Sequence, residues 1–466
     1  MLGLSIGLFS LLVFCLLLAC FFEFINGFHD TANAVATVIY TNTLKPTVAV
    51  VWSGFWNFIG VFVGGIAVAM GIVNLLPVEL LVDQSLPHGL SMVFALLLSA
   101  IIWNFGTWYL GLPASSSHSL IGSIIGIGLA YNFIPGTDGA AVNWGKAQEI
   151  GISLLMSPLF GFAFAICIMY VFKRLIKNEY IYKEPIPGKV PPTWIRAILI
   201  TTCSLVSLGH GSNDGQKGVG LMMLILIGIL PAEFALKSGF DITKTHYEAT
   251  YIKSIVVNSD ASKLNSSEHK LLTGIISNCD SLITLTKDKS GLSEISRTDR
   301  FLVRKNILLI SNFSKKLLDK GNFPVSKNDT ERLITATKNL RDITDYAPRW
   351  VIVMISISLG LGTMIGWKRI VKTVGEKIGK QHMSYAQGSS AELVAAITVG
   401  LSSFKGLPVS TTHVLSSGIA GTMVAKKGLK NLQKSTIRNI LLAWILTLPV
   451  TMIISGGLFL LFRFLF

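Results

Sequence analysis

Pro113-Ala114-Ser115-Ser116-Ser117-His118 returns later in the chain as Pro408-Val409-Ser410-Thr411-Thr412-His413. Gly-Leu precedes each proline, and a glycine follows at the same distance past each, Gly126 and Gly421. Proline removes a backbone donor and glycine admits unusual dihedrals, so Gly-Leu-Pro predicts that a helix stops at both places. Each passage sits near the middle of an apolar stretch, 91–131 or 383–425. Upstream of each is a second apolar segment that carries an aspartate. These read Asn26-Gly27-Phe28-His29-Asp30-Thr31-Ala32-Asn33 and Gly211-Ser212-Asn213-Asp214-Gly215-Gln216-Lys217. Polar motifs duplicated inside apolar sequence are how one small-solute site is assembled from two halves.

The surrounding sequence is that of a membrane protein. Hydrophobic residues make up 51% of 466, charged residues 14%, and mean hydropathy is +0.60. A soluble chain carries roughly 25% charged residues. Apolar runs recur at 4–25, 47–76, 91–112, 150–172, 197–208, 219–231, 350–366 and 440–462. Several exceed the ~18 to 20 residues that cross a bilayer. A β-barrel would show short segments of alternating polarity instead. The net charge of +15 sits largely in short loops, where it sets orientation, so no nucleic-acid partner is expected. The five cysteines show neither a disulfide framework nor zinc spacing. Leu17-Leu18-Ala19-Cys20 looks like a lipoprotein cleavage box, but the first basic residue is Lys45. Without a positive n-region, the first segment is expected to be a retained membrane helix.

Basic residues cluster at Lys173 to Arg196, Lys368 to Lys380 and Lys426 to Arg438. The positive-inside rule places these and Lys45 in the cytoplasm, with both termini outside. The two halves then run in opposite directions, as an inverted-topology repeat requires. The expected fold is an all-α polytopic membrane protein: an inverted-topology repeat with broken helices and two re-entrant hairpins, plus a helical soluble insertion. The first membrane repeat is 1–172, with its hairpin tip at 111–118. A basic cytoplasmic loop follows at 173–196. The second repeat starts at 197–231 and resumes at 348–466, with its tip at 406–413. Between its parts lies the insertion, 241–347, rich in charge and placed on the periplasmic side. Pairs such as Leu271-Leu272, Ile275-Ile276 and Leu282-Ile283 mark helical periodicity there.

The repeated motifs carry the chemistry. Broken backbone at membrane depth is tolerated where it is buried in protein or lines a cavity. The free N–H groups that begin the next helix make an anion site. Ser115, Ser116, Ser117, Ser410, Thr411 and Thr412 add hydroxyls that can donate to the oxygens of a tetrahedral oxyanion. The same residue types also suit plain helix packing, but duplication in inverted context favours a site. Asp30 and Asp214 are ionisable groups in apolar segments. Each costs at least about 2.5 kcal/mol at a helix centre and is a candidate to bind a coupling cation or proton. Glu23 and Glu392 are weaker candidates of the same kind. Four of the eight histidines, His29, His118, His210 and His413, lie in or beside the motifs. Each is either a proton or metal participant or a buried hydrogen-bonding group.

With these residues in view, the chain resembles the inorganic phosphate transporter family, PiT, and its bacterial low-affinity branch most. That family is marked by a duplicated Gly-x-Asn-Asp-x-x-Asn motif on broken helices and by Pro-x-Ser-[ST]-[ST]-His at hairpin tips. The resemblance covers roughly 1–231 and 346–466. It implies that Ser115, Ser116, Ser117, Ser410, Thr411 and Thr412 hold phosphate. It assigns the coupling cation or proton to Asp30, Asn33, Asn213 and Asp214, and pairs subunits as homodimers in the bacterial inner membrane. It also implies that a divalent metal such as Mg²⁺ travels with phosphate as a neutral complex, with no bound cofactor. Phosphate, divalent metal and membrane lipid are then the partners. Two positions depart from the pattern: His29 stands where it has Asn, and Lys217 where it has the final Asn. An ammonium beside Asp214 would occupy a cation's place, so His29 and Lys217 join the coupling set and proton coupling is favoured over sodium. Lys217 snorkelling to cytoplasmic water is the plainer alternative. The expected function is proton-coupled import of metal–phosphate. The alternatives are sodium-coupled symport and a phosphate receptor that moves nothing. An enzyme is not expected, because Ser-Ser-Ser-His offers no orienting carboxylate nearby in sequence.

Overall fold

The computed structural model describes residues 5–73, 75, 86–134, 142, 144–319 and 323–465. No strand occurs among the described residues; one isolated bridge joins Gly379 and Leu432. The chain divides into two compact units, Leu226–Tyr346 and nearly all the remaining described chain.

In the larger unit, helix α1 (Ile6–Asp30) is capped by Ser5, whose Oγ accepts from Leu8 N at 3.3 Å. Helix α2 (Ala32–Tyr40) follows after Thr31 alone. Proline at the first position starts α3 (Pro46–Val63), where its missing N–H costs nothing. Then come α4 (Ala67–Val73), α5 (Leu86–Tyr109), α6 (Ser116–Tyr131) and α7 (Trp144–Leu175). Helix α8 (Thr193–Ile229) opens the second half. After the smaller unit, α14 (Arg349–Thr363) and α15 (Lys368–Glu376) are bent by 64° across Gly366, whose φ is +73°. Ser384 and Gln387 form a capping box that starts α16 (Tyr385–Phe404). Helices α17 (Thr411–Lys427) and α18 (Lys434–Leu465) complete the chain.

Among the described residues, five helical segments are long and apolar enough to cross a membrane: Ile6–Tyr40, Pro46–Val63, Gly89–Tyr109, Ala147–Leu175 and Lys434–Leu465. The bent pair α14 and α15 makes up to six. Their outer faces are apolar, with Leu155 71% and Ile453 74% exposed. Large apolar exteriors of this kind suit lipid rather than water.

The halves exchange partners. Helix α6, which leaves the first tip, packs along α18 of the second half. Helix α17, which leaves the second tip, packs along α7 of the first. Proline lies inside both outer helices, Pro158 in α7 and Pro449 in α18. Gly126 and Gly421 sit at these crossings, where an added Cβ would meet the backbone of Met452 or Phe162. Their close fit gives them a packing role.

Both aspartate motifs were expected on broken helices, yet α8 runs unbroken through Gly211 to Lys217. The reason is packing: a Cβ on Gly211 would strike the backbone of Asn57 on α3, so this glycine serves close approach and does not end the helix. The break in the first copy is slight. Thr31 keeps helical dihedrals (φ −50°, ψ −38°), and its N–H still reaches Gly27 O at 3.1 Å.

The smaller unit begins at Leu226, earlier than the 241 read from charge, because Ala235 and Leu236 enter its apolar core. Its main helices are α10 (Ile242–Val257), α11 (Ser266–Thr286), α12 (Arg297–Asp319) and α13 (Lys327–Arg341), with the short α9 (Pro231–Phe234) before them. Leu272, Ile275, Cys279 and Leu282 form the buried stripe of α11. Arg304 crosses the core and donates to Ala235 O and Thr344 O, both at 3.0 Å.

Candidate functional site

Both tips have the same construction. Helix α5 ends at Tyr109, and Gly111 takes φ +67°; α16 ends at Phe404, and Gly406 takes φ +68°. Leu112 N reaches back to Thr107 O, and Leu407 N to Ser402 O, both at 2.9 Å. These are the six-to-one bonds of a Schellman ending, which favours glycine in the left-handed position. Ser115 then caps α6, its Oγ accepting from His118 N at 3.2 Å; Ser410 caps α17, accepting from His413 N at 3.1 Å. The hydroxyls of Ser115 and Ser410 thus shape the helix starts. Other first-turn N–H groups have no acceptor within their own helix.

The tips meet the two aspartate motifs in one buried cluster, with Asp30 3% and Asp214 1% exposed. Thr412 Oγ1 donates to Asp30 Oδ1 at 2.7 Å. Ser116 Oγ lies 3.1 Å from Asp214 Oδ2 and 3.5 Å from Asp30 Oδ2. Asn33 Nδ2 donates to Thr412 Oγ1 at 2.9 Å. In the equivalent place, Lys217 Nζ donates to Ser117 Oγ at 2.6 Å and pairs with Asp214 Oδ2 at 2.5 Å. Lys217 is fully buried, so it does not snorkel.

The residue before each aspartate ties the motif to its own half. His29 reaches Asp30 Oδ1 at 3.0 Å through Nδ1 and Thr107 Oγ1 at 3.2 Å through Nε2. Asn213 donates to Ser403 Oγ and Leu407 O, both at 3.1 Å, and accepts from Val409 N at 3.2 Å. Asn213 therefore fixes the second tip's backbone. Among the described residues, Thr411 Oγ1, Asn33 Oδ1 and Asp214 Oδ1 are buried with no partner. Sites of this kind leave polar atoms for a ligand.

His210 is the residue that the sequence reading undervalued. It lies one turn before Asp214, and its Nε2 is 3.6 Å from both Asp30 Oδ2 and Asp214 Oδ2. Its Nδ1 meets Asn57 Oδ1 at 3.0 Å. The Asn57 amide is oriented by its Nδ2, which donates to Thr363 Oγ1 at 2.8 Å. His210 Nδ1 is therefore the donor to Asn57, and Nε2 faces two carboxylate oxygens. Such a triangle requires a cation, either a proton on Nε2 or a metal. Asp30, His210 and Asp214 offer three ligand atoms within 4.8 Å of one another. The i, i+4 spacing of His210 and Asp214 was a usable signal. Asn57, a lone amide in apolar α3, gave a weaker one.

Comparison with known proteins identifies the family. The phosphate transporter family matches residues 26–455. The low-affinity inorganic phosphate transporter PitA of Escherichia coli (strain K12) is 42% identical, over 98% of this chain and 97% of that protein. A low-affinity inorganic phosphate transporter of Buchnera aphidicola subsp. Acyrthosiphon pisum is 43% identical, over 97% and 96%. Among solved structures, a sodium-dependent phosphate transporter aligns with a TM-score of 0.55 at 19% identity, over 98% of this chain and all of that one, and so shares the fold. The family is one of transporters and not of enzymes, and the chain belongs to it: it is a member of the phosphate transporter family.

Proposed function

We propose that this protein is a low-affinity importer of inorganic phosphate in the bacterial inner membrane. It works by proton-coupled symport and carries phosphate as a neutral complex with a divalent metal such as Mg²⁺. The observation that carries the reading is the convergence of two serine- and threonine-bearing helix starts on Asp30, Asp214 and Lys217. Helix N-termini attract anionic oxygens. Ser116, Ser117, Thr411 and Thr412 hold those oxygens, Ser115 and Ser410 set the helix starts, and Lys217 supplies a positive charge. Asp30, His210 and Asp214 hold the metal, while Asn33, His29 and Asn213 keep the carboxylates and tips in place. Joining metal to phosphate neutralises the dianion and lowers the cost of burying it.

Lys217 favours protons over sodium. Its ammonium already sits on Asp214, while it takes toward Ser117 the place that Asn33 takes toward Thr412. The exchange of α6 and α17 between halves supports an inverted-topology repeat whose tips act as re-entrant hairpins. The buried site opens alternately as the tips move against the outer helices. The termini and Leu226–Tyr346 lie on the periplasmic side, and two copies pair as a homodimer. The test is radiolabelled phosphate uptake into proteoliposomes under a proton gradient and then a sodium gradient, each with and without Mg²⁺. Proton-driven uptake raised by the metal is the expected result. Uptake driven by sodium alone would replace the coupling ion. No uptake under any gradient, with protein still binding phosphate, would favour a receptor.

A further inference from the structure

Two buried carboxyls lie outside the phosphate and metal set. Glu392 on α16 accepts from Thr202 Oγ1 at 2.5 Å, and its Oε1 has no partner. Glu23 on α1 accepts from Asn26 Nδ2 at 3.2 Å, and its Oε1 likewise has none. Both are fully buried, and neither forms an ion pair among the described residues. Their surroundings differ. The groups that act on Glu392 are neutral: the hydroxyls of Thr202 and Thr37 and the thiol of Cys203. Glu23 lies against the backbone of α8 at Gly218, where a Cβ would come within 2.7 Å of Glu23 Cδ and Oε1. A side chain at 218 would therefore collide with this carboxyl, and the residue before Gly218 is Lys217. The charged groups of α8 that act on Glu23 are Lys217, Asp214 and His210. On α1 itself Cys20 is one turn away, and the next titratable groups are His29 and Asp30. Helix α14, packed along α1, meets it at Phe24 and Gly27 through Leu359, Gly362 and Thr363, all neutral.

The geometry points to Glu23 as the group that carries the coupled proton, with Lys217 as the charge that links its protonation to phosphate binding. This rests on the proton-coupled reading above. A buried carboxylate without a paired cation is costly, so Glu23 can release its proton only while a positive charge stays near it. Lys217 supplies that charge while it rests on Asp214. Phosphate oxygens arriving at Ser117 draw the ammonium toward themselves. The negative charge that then builds up at the centre favours a proton on Glu23. By reciprocity, a proton on Glu23 frees Lys217 for phosphate. The proton enters at Glu23 Oε1 from the loading side and leaves the same atom on the other, with no bond made or broken elsewhere.

The test uses the full chain in proteoliposomes, with two readouts. One is exchange of labelled against unlabelled phosphate at equal pH, which needs no net proton movement. The other is accumulation driven by a pH gradient. Glu23→Gln keeps the shape and the acceptor for Asn26. It is expected to retain exchange and to lose gradient-driven accumulation by about tenfold or more, with a flattened pH profile of exchange. Glu392→Gln is expected to keep both. Glu23→Gln that accumulates like the parent, or that loses exchange together with accumulation, overturns the assignment, the second by making Glu23 structural. Loss of accumulation in Glu392→Gln alone would also overturn it. A parent protein that ignores the pH gradient and follows sodium would refute the proton-coupled reading itself, a result visible before any variant is made.

Discussion

The two aspartate motifs occupy equivalent places and differ by one charge. Asn33 and Lys217 each reach the third hydroxyl of the opposite tip, Thr412 at 2.9 Å and Ser117 at 2.6 Å. One contact is a neutral amide; the other is an ammonium that also pairs with Asp214 at 2.5 Å. A site built from two near-identical halves thus holds its fixed positive charge on one side only. The asymmetry gives Asp214 a fixed cation on its own helix and leaves Asp30 with none from its own motif's third position. It also makes the halves unequal under mutation, and this can be measured.

The largest difference is expected on removing the aspartates. Asp214→Asn strands a fully buried ammonium, and breaking a buried pair from one side costs about 3–5 kcal/mol. Asp30→Asn strands no lysine, because Asn33 is neutral, so its stability loss should be smaller. Thermal unfolding of detergent-purified protein checks both. Asp214→Asn with Lys217→Met should recover part of the stability lost by Asp214→Asn alone while uptake stays absent. Equal losses for the two single variants would remove the asymmetry from the energetics.

Next in size is Lys217→Asn, which makes the two motifs alike. It should introduce or strengthen sodium dependence of phosphate uptake and weaken the response to a proton gradient. An unchanged proton-driven phenotype would mean that Lys217 does not decide the coupling ion.

The tips should respond more evenly. Gly111→Ala and Gly406→Ala each force a side chain into φ near +67°, at a cost of about 1 kcal/mol. Gly406 should suffer more, because its added Cβ would lie 3.1 Å from Ala67 Cβ, whereas the nearest atom to Gly111 is 3.7 Å away. A larger shift in melting temperature for Gly111→Ala would contradict this packing.

What could be read in the sequence follows the reach of local physics. Gly-Leu-Pro ends a helix by backbone chemistry alone, so both tips were legible, whereas Ser115 and Ser410 were read as phosphate donors and their capping of the next helices was not. Charged residues in apolar segments marked Asp30 and Asp214, and Lys217 stood out because it breaks the repeat. The pairing of Lys217 with Ser117 and of Asn33 with Thr412 was not legible, because it depends on how the halves cross. The unbroken course of α8 was hidden for a related reason: whether a glycine ends a helix or admits a neighbour is decided by what packs on it, and Gly211 packs on Asn57. His210 was visible as a residue, but its role needed the position of Asp30 from the other half.

The smallest effect on stability separates holding a ligand from holding the fold. Ser116 and Thr411 are the first residues of α6 and α17, and so are equivalent in the repeat. Ser116 Oγ already bonds Asp214, whereas Thr411 Oγ1 is buried with no partner. Removing a hydroxyl that has no partner relieves an unmet desolvation cost. Thr411→Val should therefore leave the melting temperature unchanged or slightly raised, and Ser116→Ala should lower it by about 1 kcal/mol of stability. Uptake should show the opposite sensitivity. If the Thr411 hydroxyl is kept for a phosphate oxygen, Thr411→Val should raise the phosphate concentration for half-maximal uptake by roughly tenfold or more, the worth of about one hydrogen bond to a charged group. Stability retained with half-maximal concentration unchanged would show that the second tip offers phosphate its backbone alone, and the two halves would then differ in ligand chemistry as well as in charge.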